Sequence, residues 1–144
     1  MSDSIIYESN SPEETAQIAE RMATDAVAGQ VICLTGDLGV GKTAFAQGFG
    51  RGLGITEPMA SPTFTILREY HDGRLPLYHY DVYRISDADE LVEVGFYDFM
   101  DEGVSLVEWA ELIEDEIPQD AVWVRIEKDV EKGFDYRRIS VGSR

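Results

Sequence analysis

Lysine is scarce in this chain: Lys42, Lys128 and Lys132 are the only lysines among 12 basic side chains, which face 28 acidic ones, for a net charge of −16. So acidic a surface repels a phosphate backbone, because affinity for nucleic acid comes largely from basic groups that displace counterions. Direct RNA binding by the chain alone is therefore not expected. A positively charged face on a partner protein is the natural docking target, although acidity also serves solubility. The single cysteine, Cys33, has no internal disulfide partner, and its place in an apolar run makes it a core residue. No apolar run approaches the roughly 20 residues of a membrane helix, and no basic stretch followed by an apolar one opens the sequence. The expected setting is the cytoplasm. Repeats, low-complexity tracts and linkers are missing too, and 144 residues suit a single domain, 1–144, with a substantial core.

What is present is a phosphate-binding pattern. Gly36-Asp37-Leu38-Gly39-Val40-Gly41-Lys42-Thr43 matches G-x-x-x-x-G-K-[ST] and follows the run Val31-Ile32-Cys33-Leu34-Thr35. A strand thus delivers the chain into a turn whose N–H groups form an anion nest, and the next helix adds the positive end of its dipole. Gly36, Gly39 and Gly41 let bare backbone approach phosphate oxygens. Lys42 is expected at the β- and γ-phosphates of a nucleoside triphosphate, and the Thr43 hydroxyl as a ligand of Mg²⁺. The nucleotide-binding stretch expected from the motif runs through Ala44.

Around this loop the sequence reads as alternating strands and helices. Residues 5–7 suggest a strand, and Ser11-Pro12-Glu13-Glu14 supplies an N-cap, a first-turn proline and a capping-box glutamate. Ile18, Ala19, Met22, Ala23 and Ala26 share a helical face, with Gly29 as the expected stop. A second helix runs from Lys42 with Phe45, Ala46, Phe49 and Leu53 inward. Gly48, Gly50, Gly52 and Gly54 lie in or beside it, which calls for close packing against a neighbour, because an interior glycine costs about 1 kcal/mol relative to alanine. Residues 65–70 and 75–80 read as an antiparallel pair about the turn His71-Asp72-Gly73. Residues 88–100 have mixed helical character, 104–107 form a short buried strand, and 110–116 an acidic helix ended by Pro118. Residues 122–127 and 136–141 form a terminal strand pair. The sum is a three-layer α/β/α phosphate-loop NTPase domain with a mixed sheet, parallel near the nucleotide and antiparallel at the edge.

Two acids end apolar strands, Asp81 and Glu108, and either suits the Mg²⁺ site or the activation of an attacking water. They are followed by Val82 and Trp109 rather than by second acids, which leaves the tasks open to division between two strands, with an exposed strand end as the plain alternative for each. Strand alternation puts His79, Asp81 and Tyr83 on one polar face. Arg84 suits either transition-state charge or a surface ion pair. Ser61 and Thr63 sit in a loop able to sense a γ-phosphate, or serve as capping hydroxyls. Trp109 is either core or a cover for the site.

Taken together, the loop motif, Ser61-Pro62-Thr63-Phe64, His79-Tyr80-Asp81-Val82-Tyr83-Arg84 and Val107-Glu108-Trp109-Ala110-Glu111 closely resemble the TsaE (YjeE) family, in order and spacing from about Ser11 to Val141. The resemblance implies an ATPase needed for N6-threonylcarbamoyladenosine formation beside the anticodon of tRNAs reading codons that begin with A. It implies partners as well, a TsaD and TsaB pair that carries out the transfer from a threonylcarbamoyl-adenylate and on which the ATPase docks. By the same resemblance Lys42 and Thr43 correspond to the phosphate and magnesium residues, Asp81 to a Walker B-type acid and Glu108 to a carboxylate at the metal. Ser61 and Thr63 correspond to a switch-like loop, and Trp109 to a tryptophan near the site. Two other readings stay open: a nucleotide-dependent docking switch with incidental hydrolysis, and a small-molecule kinase, which lacks the usual arginine-bearing lid. A GTPase is disfavoured because no Asn-Lys-x-Asp element follows the loop.

Overall fold

In the computed structural model, which describes residues 4–36, 41–59 and 66–143, strand β1 (Ile5–Ser9) leads into helix α1 (Pro12–Thr24). Ser11 Oγ accepts the Glu14 N–H at 3.1 Å, and the Glu14 carboxylate accepts the Asn10 N–H at 2.8 Å, so the expected cap forms. The expected stop does not hold. Helix α1 ends at Thr24, ahead of Gly29, because Arg74 Nη2 donates to the carbonyls of Ala23 at 2.8 Å and Ala26 at 3.0 Å. A guanidinium there satisfies orphan carbonyls and complements the negative end of the helix dipole. Gly29, with φ of +94°, instead shapes the approach to β2 (Val31–Thr35).

Helix α2 (Lys42–Gly52) follows the phosphate loop, and β3 (Leu67–Tyr70) pairs antiparallel with β4 (Leu77–Asp81). The second strand of that pair thus starts at Leu77 rather than at residue 75. Residues 88–100 resolve into α3 (Ala88–Glu93) and α4 (Phe96–Phe99), broken at Gly95, whose φ of +82° no continuous helix accepts. Next comes β5 (Val104–Glu108), then the expected short acidic helix, of 3₁₀ type, at Ala110–Glu116, and the strands β6 (Val122–Lys128) and β7 (Arg137–Gly142). The seven strands form one sheet in the order β1-β7-β6-β2-β5-β4-β3. The four at its centre, β6, β2, β5 and β4, are mutually parallel. The antiparallel additions occupy both edges, β3 on one side and β7 with β1 on the other, where one edge was expected.

Both faces of the sheet are covered. Strand β2 shows why, since Ile32 and Leu34 turn to a core shared with α1 and α2, while Val31 and Cys33 turn to a second core with Leu91, Phe96 and Ala110. Buried parallel strands of this kind read as continuous apolar runs. Cys33 is a core residue, as its position implies.

The glycines of α2 are spaced by contact with α1. A Cβ on Gly48 would stand 2.1 Å from the Ala16 carbonyl oxygen, and one on Gly52 2.3 Å from that of Glu20. Gly50 faces the Met59 sulfur, whereas Gly54 lies past the helix with φ of +83°. Helix propensity alone favours Gly48→Ala by about 1 kcal/mol. Backbone cannot yield as a flexible side chain does, so the overlap wins. Gly48→Ala is expected to destabilise the fold by about 3 kcal/mol, read as a lowered urea midpoint; a raised midpoint would refute the close-packing account.

Candidate functional site

The C-terminal ends of the parallel strands meet at one edge of the sheet, the usual place for a ligand in an open α/β fold. Register aligns Leu34 of β2 with Glu108 of β5, and Glu108 with Asp81 of β4. The two acids are therefore neighbours on adjacent strands and face the α2 side. Glu108 is buried and Asp81 half-buried. Asp81 Oδ1 accepts the Tyr83 N–H at 3.0 Å, and Glu108 Oε2 accepts from His79 Nε2 at 2.6 Å.

Strand β2 runs out at Thr35, and Gly36 (φ +140°) and Gly41 (φ +114°) bracket the loop, with Gly41 as the N-cap of α2. Both conformations are costly for any residue with a Cβ. Lys42 opens the helix and is buried: its Nζ donates to the Gly36 carbonyl at 2.9 Å and lies 4.1 Å from the centre of the Trp109 ring. That places a cation over an aromatic face in a partly dry setting. Trp109, directly after β5, has φ of +64°, the one positive φ at a non-glycine among the described residues, and its ring packs against Tyr83 at 4.8 Å between centroids. Strain at such a position persists when surrounding contacts over-determine it.

Two clefts flank the loop. One, of about 190 Å³, is lined by Ser11, Thr15, Gly41, Ala44, Asp135 and Arg137, between the start of α1, the start of α2 and the entry to β7. The other, of about 590 Å³, lies beside Gly36 between Trp109 and Trp123. Those two tryptophans pack with the core on the side away from α1 and α2. The start of α2, with Gly41 and Ala44, borders the smaller cleft, whereas Gly36 and Trp109, the two partners of Lys42, border the larger one.

The chain matches, over residues 9–139, the family model described as "Threonylcarbamoyl adenosine biosynthesis protein TsaE". This chain belongs to the TsaE family. The "tRNA threonylcarbamoyladenosine biosynthesis protein TsaE" of Bacillus subtilis is 51% identical over 136 residues, covering 92% of this chain and 84% of that protein. The protein of the same name from Nostoc is 42% identical over 104 residues, covering 69% of this chain and 64% of that protein. The crystal structure of Bacillus subtilis YdiB superposes with a TM-score of 0.82 at 44% identity, covering 99% of this chain and 87% of that one.

In this TsaE-family chain the structure brings together Gly36, Lys42 and Trp109 by direct contact, and Asp81 and Glu108 by register. Thr43 is exposed at the start of α2, and Ala44 borders the smaller cleft. Asp37, Leu38, Gly39, Val40, Ser61 and Thr63 lie outside the described residues. Arg84 is exposed and makes no ion pair among the described residues. Of the polar face, His79 and Asp81 lie on β4, while Tyr83 lies past its end against Trp109. Sequence reasoning missed Asp135 and Arg137, which reach the cleft only because β7 pairs with β1 across the length of the chain. No local spacing signals them. The loop bearing Asp135 is tied down by Tyr136, whose hydroxyl donates to Glu8 at 2.6 Å; that bond first, and Lys132 second, hold the Glu8 carboxyl below the usual carboxylate range.

The Lys42–Trp109 contact is expected to show a coupling of about 1 kcal/mol in a double-mutant cycle of Lys42→Met and Trp109→Leu, read by urea unfolding. Strictly additive effects would contradict it.

Proposed function

We propose that this TsaE-family chain binds and hydrolyses ATP with Mg²⁺ in the cytoplasm and so supports threonylcarbamoyladenosine formation in tRNA, together with a TsaD and TsaB pair. The observation that carries the reading is Lys42 at the N-terminus of α2, bracketed by Gly36 and Gly41, beside two carboxylates in register on the neighbouring strands. The name of its relatives points to the pathway.

The donor set suits Mg²⁺. Thr43, Asp81 and Glu108 offer only oxygen, as a hard cation requires, and among the described residues no group of three or more His, Cys, Asp or Glu could hold a metal by itself. That fits an ion held by one or two protein ligands with the rest from phosphates and water, rather than a protein cage. When bound, Mg²⁺ would neutralise charge on the β- and γ-phosphate oxygens. Lys42 would leave the Gly36 carbonyl for those oxygens, and the loop amides would share their charge. Glu108 or Asp81 would orient a water for in-line attack at the γ-phosphorus. The new phosphorus–oxygen bond forms as the bond to the β,γ-bridging oxygen breaks, ADP departs, and the water's proton passes to the carboxylate or to the phosphate released.

Among the described residues neither Asp81 nor Glu108 is hydrogen-bonded to an arginine, and in this reading the partner supplies the charge that assists the transition state. Slow turnover alone and stimulation by the partner follow. Charge supports protein partners over direct RNA binding: between Arg84 and Arg125 the sequence has thirteen acidic side chains and no basic one, and this stretch builds the α3, α4 and 3₁₀ layer. Exposed Val92, Tyr97 and Leu112 punctuate that layer, so a basic partner face with apolar patches would complement it.

The deciding experiment is ATP turnover with Mg²⁺, with and without a purified TsaD and TsaB pair. Stimulation by the pair is expected. In Lys42→Ala and in Glu108→Ala the stimulated rate is expected to fall about 10²–10³-fold, the usual effect of removing one transition-state charge or proton partner. A Glu108→Ala protein that binds ATP, does not hydrolyse it and still sustains repeated rounds of tRNA modification would favour the docking-switch reading instead.

A further inference from the structure

His79 has no part in the hydrolysis described above, yet it makes the shortest contact given to either carboxylate. It lies on β4 two residues before Asp81, in register with Leu106 of β5, and both it and Glu108 are buried. Instead of packing straight across on Leu106, the ring reaches along the strand to Glu108, Nε2 to Oε2, at 2.6 Å. A carboxylate only accepts hydrogen bonds, so Nε2 carries the proton of this bond. The other ring nitrogen, Nδ1, is buried with no hydrogen-bond partner. Leu77 and Leu106, around it on the same face, are fully buried and apolar.

That combination is a poor solution for a core position. A leucine would fill such a pocket without stranding a ring nitrogen out of reach of water, so the imidazole brings an uncompensated desolvation penalty. What it supplies in return is a fixed donor to Glu108. A glutamate side chain has three rotatable bonds, and Asp81 lies directly opposite, where like charges repel. The two carboxylates are held by different hands, Asp81 by the Tyr83 N–H and Glu108 by His79.

We propose that His79 is a positioning residue: it pins Oε2 of Glu108 in a single geometry, leaving Oε1 as the oxygen that serves the attacking water or the cation. The proposal rests on the ATPase reading given above. It acts through Glu108 and has no meaning without it, which sets its test.

Partner-stimulated ATP turnover is measured in His79→Leu, His79→Gln, Glu108→Ala, Lys42→Ala and the His79→Leu/Glu108→Ala double variant. His79→Leu is expected to lower kcat about 10- to 100-fold, the usual effect of losing the group that orients a ligand or base. KM for ATP stays within about twofold, because ground-state phosphate contacts are untouched. His79→Gln, which keeps a side-chain N–H at similar reach, recovers most of the rate. In the Glu108→Ala background His79→Leu has no further effect. A second readout needs neither nucleotide nor metal: in ¹⁵N-resolved imidazole spectra of the free protein, His79 shows a protonated Nε2 and a bare Nδ1, and the Nε2 proton resonance shifts in Glu108→Ala. Should His79→Leu fail to fold, His79→Gln and these spectra carry the test. Normal kcat in His79→Leu beside inactive Lys42→Ala and Glu108→Ala overturns the positioning role and leaves the ATPase reading intact. Additive losses in the double variant, or an unmoved Nε2 proton, overturn it as well. Wild-type rates in Lys42→Ala and Glu108→Ala overturn the ATPase reading, and the positioning role with it.

Discussion

Parallel strands must be joined by crossovers and buried on both faces, and that requirement organises this molecule. Because β6, β2, β5 and β4 run the same way, their C-terminal ends arrive together at one edge. The loop after β2, the acid ending β4 and the acid ending β5 become neighbours there without any contact between them having to be built separately. Helix α2 then has to return over the sheet, and it does so pressed so closely on α1 that Gly48 and Gly52 admit no Cβ. The close approach fixes the axis of α2, and with it the direction in which the helix dipole and Lys42 point.

Electrostatics at that edge is a balance of one buried cation and two carboxylates within a chain of large negative net charge. Lys42 is satisfied locally by the Gly36 carbonyl and the Trp109 ring. Neither partner is an anion, so neither matches what a phosphate would offer. An ammonium stored against a carbonyl and an aromatic face is ready to exchange them for charged oxygens, since hydrogen bonds to ionised acceptors are roughly twice as strong as neutral ones. Trp109 links the two sides of the site: it follows Glu108 in sequence, covers Lys42 in space and packs on Tyr83 beyond Asp81.

Features written in contiguous residues were legible in the sequence. The apolar strand before the loop, the Ser11 cap and the inward face of α2 are local patterns, and each stands where it was expected; of the loop motif itself, Asp37 to Val40 lie outside the described residues. Features that depend on who lies next to whom were not. Arg74 ends α1 from a distant turn, which no helix-stop rule applied at Gly29 can see. Gly95 splits a segment that reads as one helix, because backbone sign rather than side-chain pattern decides it. On the edge beyond β6, β1 returns from the start of the chain to pair with β7, and that pairing also brings Asp135 and Arg137 beside Gly41. The acids at the ends of β4 and β5 were readable singly; their register, and the bond from His79 to Glu108, were not.

The proposed function depends on Lys42 and the loop amides holding a triphosphate together with Mg²⁺. The most direct measurement is ATP affinity by titration calorimetry, for wild type and Lys42→Ala, each with Mg²⁺ and with chelator. Wild type should bind ATP more tightly with Mg²⁺ than without it, and Lys42→Ala should lose at least about tenfold in affinity, or 1.4 kcal/mol. Equal affinity in both proteins, unchanged by Mg²⁺, would contradict a triphosphate site at Lys42.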